Sequence, residues 1–107
     1  EMTISIIIPC YNEEKTIKKI IQKVIDNKEF GKEIIVIDDN STDNSIKILK
    51  ENSNLIDHLI INDKNYGKGY CIREGIKVAT GNIIIIQDAD LEYDPSDYSK
   101  LINPNYL

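Results

Sequence analysis

Long apolar runs are missing from this chain. No uninterrupted stretch exceeds four residues, as in 83–86, whereas about 20 are needed to cross a bilayer. Neither a membrane span nor a signal peptide is therefore expected. Cysteine is scarce: Cys10 and Cys71 are too few for a disulfide framework and are expected to be reduced, buried thiols. Basic residues are also few, 13 Lys and Arg against 18 Asp and Glu, and Arg73 is the single arginine. Proteins that track a phosphate backbone need a basic stripe, and its absence excludes broad DNA or RNA binding. An anionic ligand must be held instead by helix N-termini, backbone amides or a metal. The hydrophobic fraction of 41% argues against disorder, and 107 residues suffice for one core but not two.

Isoleucine is abundant, and it is clustered. Runs at 4–8, 34–37, 59–61 and 83–86 are dense in β-branched residues and bounded by Asp, Asn, Gly or Pro, the pattern of strands buried on both faces. Between them, Ile17, Ile20, Ile21, Val24 and Ile25 have helical spacing, behind Glu13 and Glu14 at the helix start. Ile46 and Leu49 mark a second helix, capped from Ser41-Thr42-Asp43, and Ile72, Ile76 and Ala79 a third that Gly81 can end. Asp94-Pro95 opens a fourth helix with Tyr98, Leu101 and Ile102 on one face. The alternation of strand and helix predicts an α/β fold with a parallel sheet, right-handed crossovers and helices on both sides. Such sheets bind ligands at the carboxyl ends of their strands.

The segment after each strand is therefore where chemistry is expected. Pro9-Cys10-Tyr11-Asn12-Glu13 offers a flat ring that could contact a base and a carboxylate that could accept from it, or else a turn and a helix cap. Asp38-Asp39 places adjacent carboxylates at a strand end, so at least one needs a donor or a cation. Ser41 or Asp43 can cap the next helix while Asp39 faces a ligand. Asn65-Tyr66-Gly67-Lys68-Gly69 is not a dinucleotide fingerprint, because Ile72 stands where the last glycine belongs, but a glycine loop with one lysine at a helix start can lie against a phosphate or ribose. Asp88-Ala89-Asp90, with Glu92 two residues on, sets hard oxygen donors at a strand mouth, suited to Mg²⁺ or Mn²⁺. His58, the only histidine, is expected in a half-exposed structural role.

Taken together, Pro9-x-Tyr11-Asn12-Glu13, Ile37-Asp38-Asp39-Asn40-Ser41-x-Asp43, Asn65-x-Gly67-x-Gly69, Ala79-x-Gly81 and Asp88-Ala89-Asp90 resemble family 2 glycosyltransferases, above all the branch of dolichol-phosphate mannosyltransferases and bacterial polyprenyl-phosphate sugar transferases. The resemblance implies the parallel-sheet, Rossmann-like nucleotide-binding half of a glycosyltransferase A-type fold. It also implies an inverting, metal-dependent enzyme that moves a sugar such as mannose or glucose from a GDP- or UDP-linked donor to a polyprenyl or dolichyl phosphate. Pro9, Tyr11 and Glu13 would border the nucleoside, Ile37 and Asp39 would hold the base, and Asp88, Ala89 and Asp90 would line the ribose and diphosphate. Asp88, Asp90 and Glu92 would bind the metal, with Asp90 as the catalytic position. The implied location is the cytoplasm, at the face of a membrane for a full-length protein.

Relatives continue past the position of Leu107 into an acceptor-binding half. Residues 1–107 are therefore expected to be a partial domain that binds donor without turnover, with the fourth strand as an exposed edge open to homodimerisation. Two rivals place clustered aspartates beside Mg²⁺. A haloacid-dehalogenase-like phosphatase would want Thr or Val in place of Glu92, and a receiver-like signalling module would carry its acid pair after the first strand rather than the second.

Overall fold

The isoleucine-dense runs become strands, and each strand sorts its side chains between two layers by simple alternation. The computed structural model describes residues 3–26 and 31–90. In chain order they form β1 (Thr3–Cys10), α1 (Ile17–Asp26), β2 (Gly31–Asp38), α2 (Ser45–Glu51), a 3₁₀ turn (Ser53–Leu55), β3 (His58–Ile61), α3 (Lys68–Val78) and β4 (Ile83–Ile86). The strands are all parallel and ordered β3-β2-β1-β4, with Ile6 level with Ile34 on one side and Ile85 on the other. Ile4, Ile6 and Ile8 of β1 and Ile34 and Val36 of β2 face α1 and α2, where they meet Ile17, Ile20, Val24 and Leu49. Ile7, Ile35 and Ile37 point the other way, against Cys71 of α3. Burial on both faces holds for the central strands β1 and β2. Among the described residues β3 and β4 each pair on one side only, and their side chains are mostly half-buried, with Ile86 39% exposed.

Helix α1 buries the stripe expected of it, whereas α3 does not. Its inner face is Cys71 and Gly75 with Val78 half-buried beside them, while Ile72 is half-buried and Ile76 is 47% exposed. Gly75 is the reason. A β-carbon there would lie 2.7 Å from Ile7 Cγ2 and 3.0 Å from Ile37 Cδ1, so the helix backbone itself packs on the sheet and turns the isoleucines aside. The fourth helix read from Asp94-Pro95, and Glu92, lie outside the described residues.

At the amino ends of the strands a polar knot ties the layers together. Ser5, fully buried, donates to Glu33 at 2.8 Å and accepts from the Gly81 amide at 2.8 Å. Glu33 also accepts from the Thr80 amide and hydroxyl, each at 2.9 Å, and sits 3.5 Å from half-exposed His58. Burial would raise the Glu33 pKa, but these donors outweigh it and hold the carboxyl below its ordinary value of 4.5.

Candidate functional site

At the opposite end of the sheet the chain leaves β1 toward β2 on one side, while β4 lies on the other, so the loops after β1 and β4 diverge. This is the topological switch point at which open parallel sheets bind ligands. A cavity of about 290 Å³ opens there, lined by Pro9, Cys10, Tyr11 and Glu13 after β1, Asp39 after β2, Lys68 and Cys71 at the start of α3, and Asp88, Ala89 and Asp90 after β4. Residues as far apart in sequence as Pro9 and Asp90 thus share one rim. Ile37 is not on it: its side chain is fully buried on the α3 side of the sheet, packed with Ile7, Ile35 and Cys71. Glu92 lies outside the described residues.

The first two loops form one hydrogen-bonded lattice. Asn12 and Asn40 adopt left-handed backbone (φ 52° and 63°), which asparagine tolerates better than most residues. The Asn12 side-chain oxygen accepts from the Thr42 amide at 2.7 Å and the Asp43 amide at 3.2 Å. Ser41 accepts from the Asn12 amide at 2.9 Å and donates to Asp38 at 2.7 Å. Asp43 accepts from the Glu14 amide at 3.2 Å and the Ser45 amide at 2.8 Å, and the Ser45 hydroxyl accepts from the Glu13 amide at 2.9 Å. Of the two expected caps, Asp43 accepts from the amide of Ser45, the first residue of α2, whereas Ser41 turns to Asp38 and Asn12. Asn44, in the cap position, makes no side-chain cap bond, and the polar residues at the helix start also hold the amides of Asn12, Glu13 and Glu14 beside the cavity. Asn12 carries much of this lattice, and its only signal in the sequence was an asparagine in the loop after β1.

Adjacent acids Asp38 and Asp39 both find donors, as their proximity required. Asp38 is fully buried and held by the Ser41 amide at 2.8 Å as well as its hydroxyl. Asp39, 4% exposed, accepts from the Asn62 side chain at 3.0 Å, the Tyr66 amide at 2.9 Å and the Gly67 amide at 2.8 Å. It therefore lines the cavity and also organises the glycine loop, in which Gly67 takes φ 98°, a conformation that favours glycine. Across the cavity the Lys68 ammonium pairs with Asp88, and the Thr16 hydroxyl donates to the Ala89 carbonyl, pinning the β4 loop to the turn that enters α1. Nothing in the sequence singled out Thr16.

Burial would raise the Asp39 pKa, but the Tyr66, Asn62 and Gly67 donors reverse it, and Asp43 is likewise lowered by Ser45 and Glu14 despite burial. Cys10 is pushed up to about 12 by burial and then by the charge of Asp38, and Cys71 to about 11 by burial and Asp39. Both thiols are therefore protonated and unreactive at neutral pH. The three lowered carboxylates fix a pH dependence. Unfolded, they titrate near 4.5 for Glu33 and 3.8 for Asp39 and Asp43. The stability they contribute is complete above those values and is lost as pH falls through the lower folded ones. The urea midpoint is expected to be flat from about pH 8 to about pH 6 and to fall progressively below about pH 4.5. A midpoint unchanged down to about pH 3 would contradict the assignment.

Asp88 and Asp90 both reach the cavity and are hard oxygen donors, which fits Mg²⁺ or Mn²⁺. Among the described residues no three ligating side chains converge. Mg²⁺ needs no more than one or two carboxylates when substrate phosphates complete its shell.

Residues 5–104 match the family model described as glycosyl transferase family 2. The chain is 36% identical over 105 residues to an undecaprenyl-phosphate 4-deoxy-4-formamido-L-arabinose transferase of Proteus mirabilis (strain HI4320), covering 92% of this chain and 32% of that protein. It thus spans about a third of that relative's length. Among solved structures, residues 1–349 of S. aureus TarS in complex with UDP-GlcNAc superpose with a TM-score of 0.71 at 29% identity, over 83% of this chain and 27% of that one. The mannosyltransferase PcManGT from Pyrobaculum calidifontis, in complex with GDP-Man and Mn²⁺, gives a TM-score of 0.74 at 26% identity, over 81% and 27%.

Proposed function

The chain belongs to glycosyl transferase family 2, and from that premise we propose that its cavity holds the nucleoside diphosphate of a sugar donor in a metal-dependent glycosyltransferase. Its fold is the Rossmann-like, nucleotide-binding side of the glycosyltransferase A type. The observation that carries the proposal is that Asp88, Ala89 and Asp90 meet Tyr11, Glu13 and Asp39 on one rim at the switch point. Tyr11, Pro9 and Glu13 border the nucleoside, Asp39 faces the base, and the β4 loop lines the ribose and diphosphate. The relatives' ligands, UDP-GlcNAc and GDP-Man, support a donor of this class.

Asp88 and Asp90 would hold the divalent ion, with Glu92 a further candidate. When bound, that ion supplies positive charge to the diphosphate as it departs. The chain's own part is to place the donor. Clamped loops after β1 and β2 fix the nucleoside side, and the Thr16 contact fixes the Ala89 backbone beneath the diphosphate. In an acceptor such as the undecaprenyl phosphate named for the Proteus relative, the attacking group is already an anion, so it needs positioning more than deprotonation. The described residues then act as the donor side. The described residues contain no helix long and apolar enough to cross a membrane, and the proposed workplace is a cytoplasmic membrane face where a lipid-linked acceptor is within reach.

Melting in the presence of UDP or GDP tests this. Stabilisation is expected only with Mn²⁺ or Mg²⁺, by about 1.4 kcal/mol at tenfold excess over Kd. Acetyl phosphate, a probe for an aspartate phosphotransfer protein, is expected to have no effect. Stabilisation by acetyl phosphate, or none by either nucleotide with metal, overturns the reading.

A further inference from the structure

Lys68 is placed against the local grain. It is the first residue of α3, where the positive end of the helix dipole disfavours a cation, and an anion in front of it must compensate. In this structure the compensating anion is Asp88, on the opposite wall of the cavity. The reach is prepared from behind: Asp39 binds the Tyr66 and Gly67 amides, and Gly67 at φ 98° sets where α3 begins. Two strand-end carboxylates, after β2 and β4, are thus linked through the glycine loop and one lysine. Among the residues lining the cavity Lys68 is the one cation, facing Glu13, Asp39, Asp88 and Asp90. The pair is partly solvated, with side-chain exposures of 58% and 25%, so it is displaceable.

Resting on the donor-site reading, we propose that Lys68 is a resident counter-ion of that site: it occupies Asp88 until a divalent cation and a diphosphate arrive together. A cation alone must compete with the ammonium for Asp88. A diphosphate offers the displaced ammonium a replacement anion at the same helix start, so metal and nucleotide favour one another's binding, reciprocally. Lys68 is in this sense a positioning residue that enforces joint loading.

The experiment measures Mn²⁺ affinity by the electron paramagnetic resonance signal of free Mn²⁺, with and without UDP or GDP, after subtracting the Mn²⁺ held by nucleotide alone. In the wild type, weak Mn²⁺ binding is expected to strengthen when nucleotide is present. Lys68→Met is expected to tighten Mn²⁺ binding without nucleotide by about three- to tenfold, since it removes a partly exposed competitor. It should also lose most of the nucleotide's enhancement. Lys68→Arg, which keeps the charge, is expected to resemble the wild type. If Lys68→Met leaves both Mn²⁺ affinity and its enhancement unchanged, the counter-ion role is wrong and the donor site stands. If nucleotide fails to enhance Mn²⁺ binding even in the wild type, the donor-site reading falls, and this proposal with it.

Discussion

Asp90→Ala is expected to weaken metal-dependent binding of UDP or GDP roughly 100-fold or more, the scale seen when one member of a desolvated charge pair is truncated. The same substitution should leave the melting temperature of the free protein nearly unchanged. Asp90 is exposed after β4, and surface substitutions of this kind fall within about 0.5 kcal/mol. The two readouts separate a ligand-serving carboxylate from a structural one. Isothermal titration with and without Mn²⁺, alongside a thermal melt, measures both. Unchanged nucleotide affinity in the variant would remove Asp90 from the site, and a large loss of stability would recast it as part of the fold. Asp39 would give no such clean separation, because its carboxylate also holds the glycine loop.

The largest stability effect is expected from a single added methyl group, in Gly81→Ala. A β-carbon at this position would lie 2.7 Å from both the Ser5 amide nitrogen and its hydroxyl oxygen, and 2.9 Å from the Thr3 carbonyl. The strand backbone of β1 cannot move aside as a flexible side-chain tip can. The same methyl would push apart the Gly81 amide and the Ser5 hydroxyl, which is itself the donor to Glu33. Overpacking costs about 1–3 kcal/mol and an unsatisfied buried polar group a similar amount, so a loss of about 2–4 kcal/mol is expected. For a domain of this size that is a fall in Tm of roughly 10–25 °C. Gly69→Ala is the control: its β-carbon meets only the end of the Arg73 side chain, at 3.3 Å, and replacing glycine within a helix is expected to be neutral or to stabilise by up to about 1 kcal/mol. Equal melting temperatures for the two variants would show that the Gly81 approach is not a constraint.

Much of this protein was written locally. Four clusters of β-branched residues could only be strands, and the stripe from Ile17 to Val24 could only bury one face of a helix. The polar residues after each strand stood where a parallel sheet presents its ligands, so Tyr11, Glu13, Asp39, Asp88 and Asp90 could be named before their meeting place was known. Their meeting depends on the order β3-β2-β1-β4, which local pattern does not encode: it is settled by which edge of β1 the fourth strand joins, a matter of packing between segments some 80 residues apart.

Other features belong to the assembled structure for the same reason. Hydrophobic spacing assigned Ile76 to the inner face of α3, but the helix approaches the sheet over Gly75, whose missing side chain carries no hydrophobic signal. Acidic spacing marked Asp39 as a ligand contact, yet three donors from a later loop reach it first. A lone lysine beside two glycines gave no hint of the carboxylate it crosses the cavity to meet. Side-chain type and period are properties of neighbours along the chain and determined the strands, the helices and the candidate acids. Close approach, ion pairing and the cavity itself are properties of neighbours in space, and only the packed sheet and helices decided them.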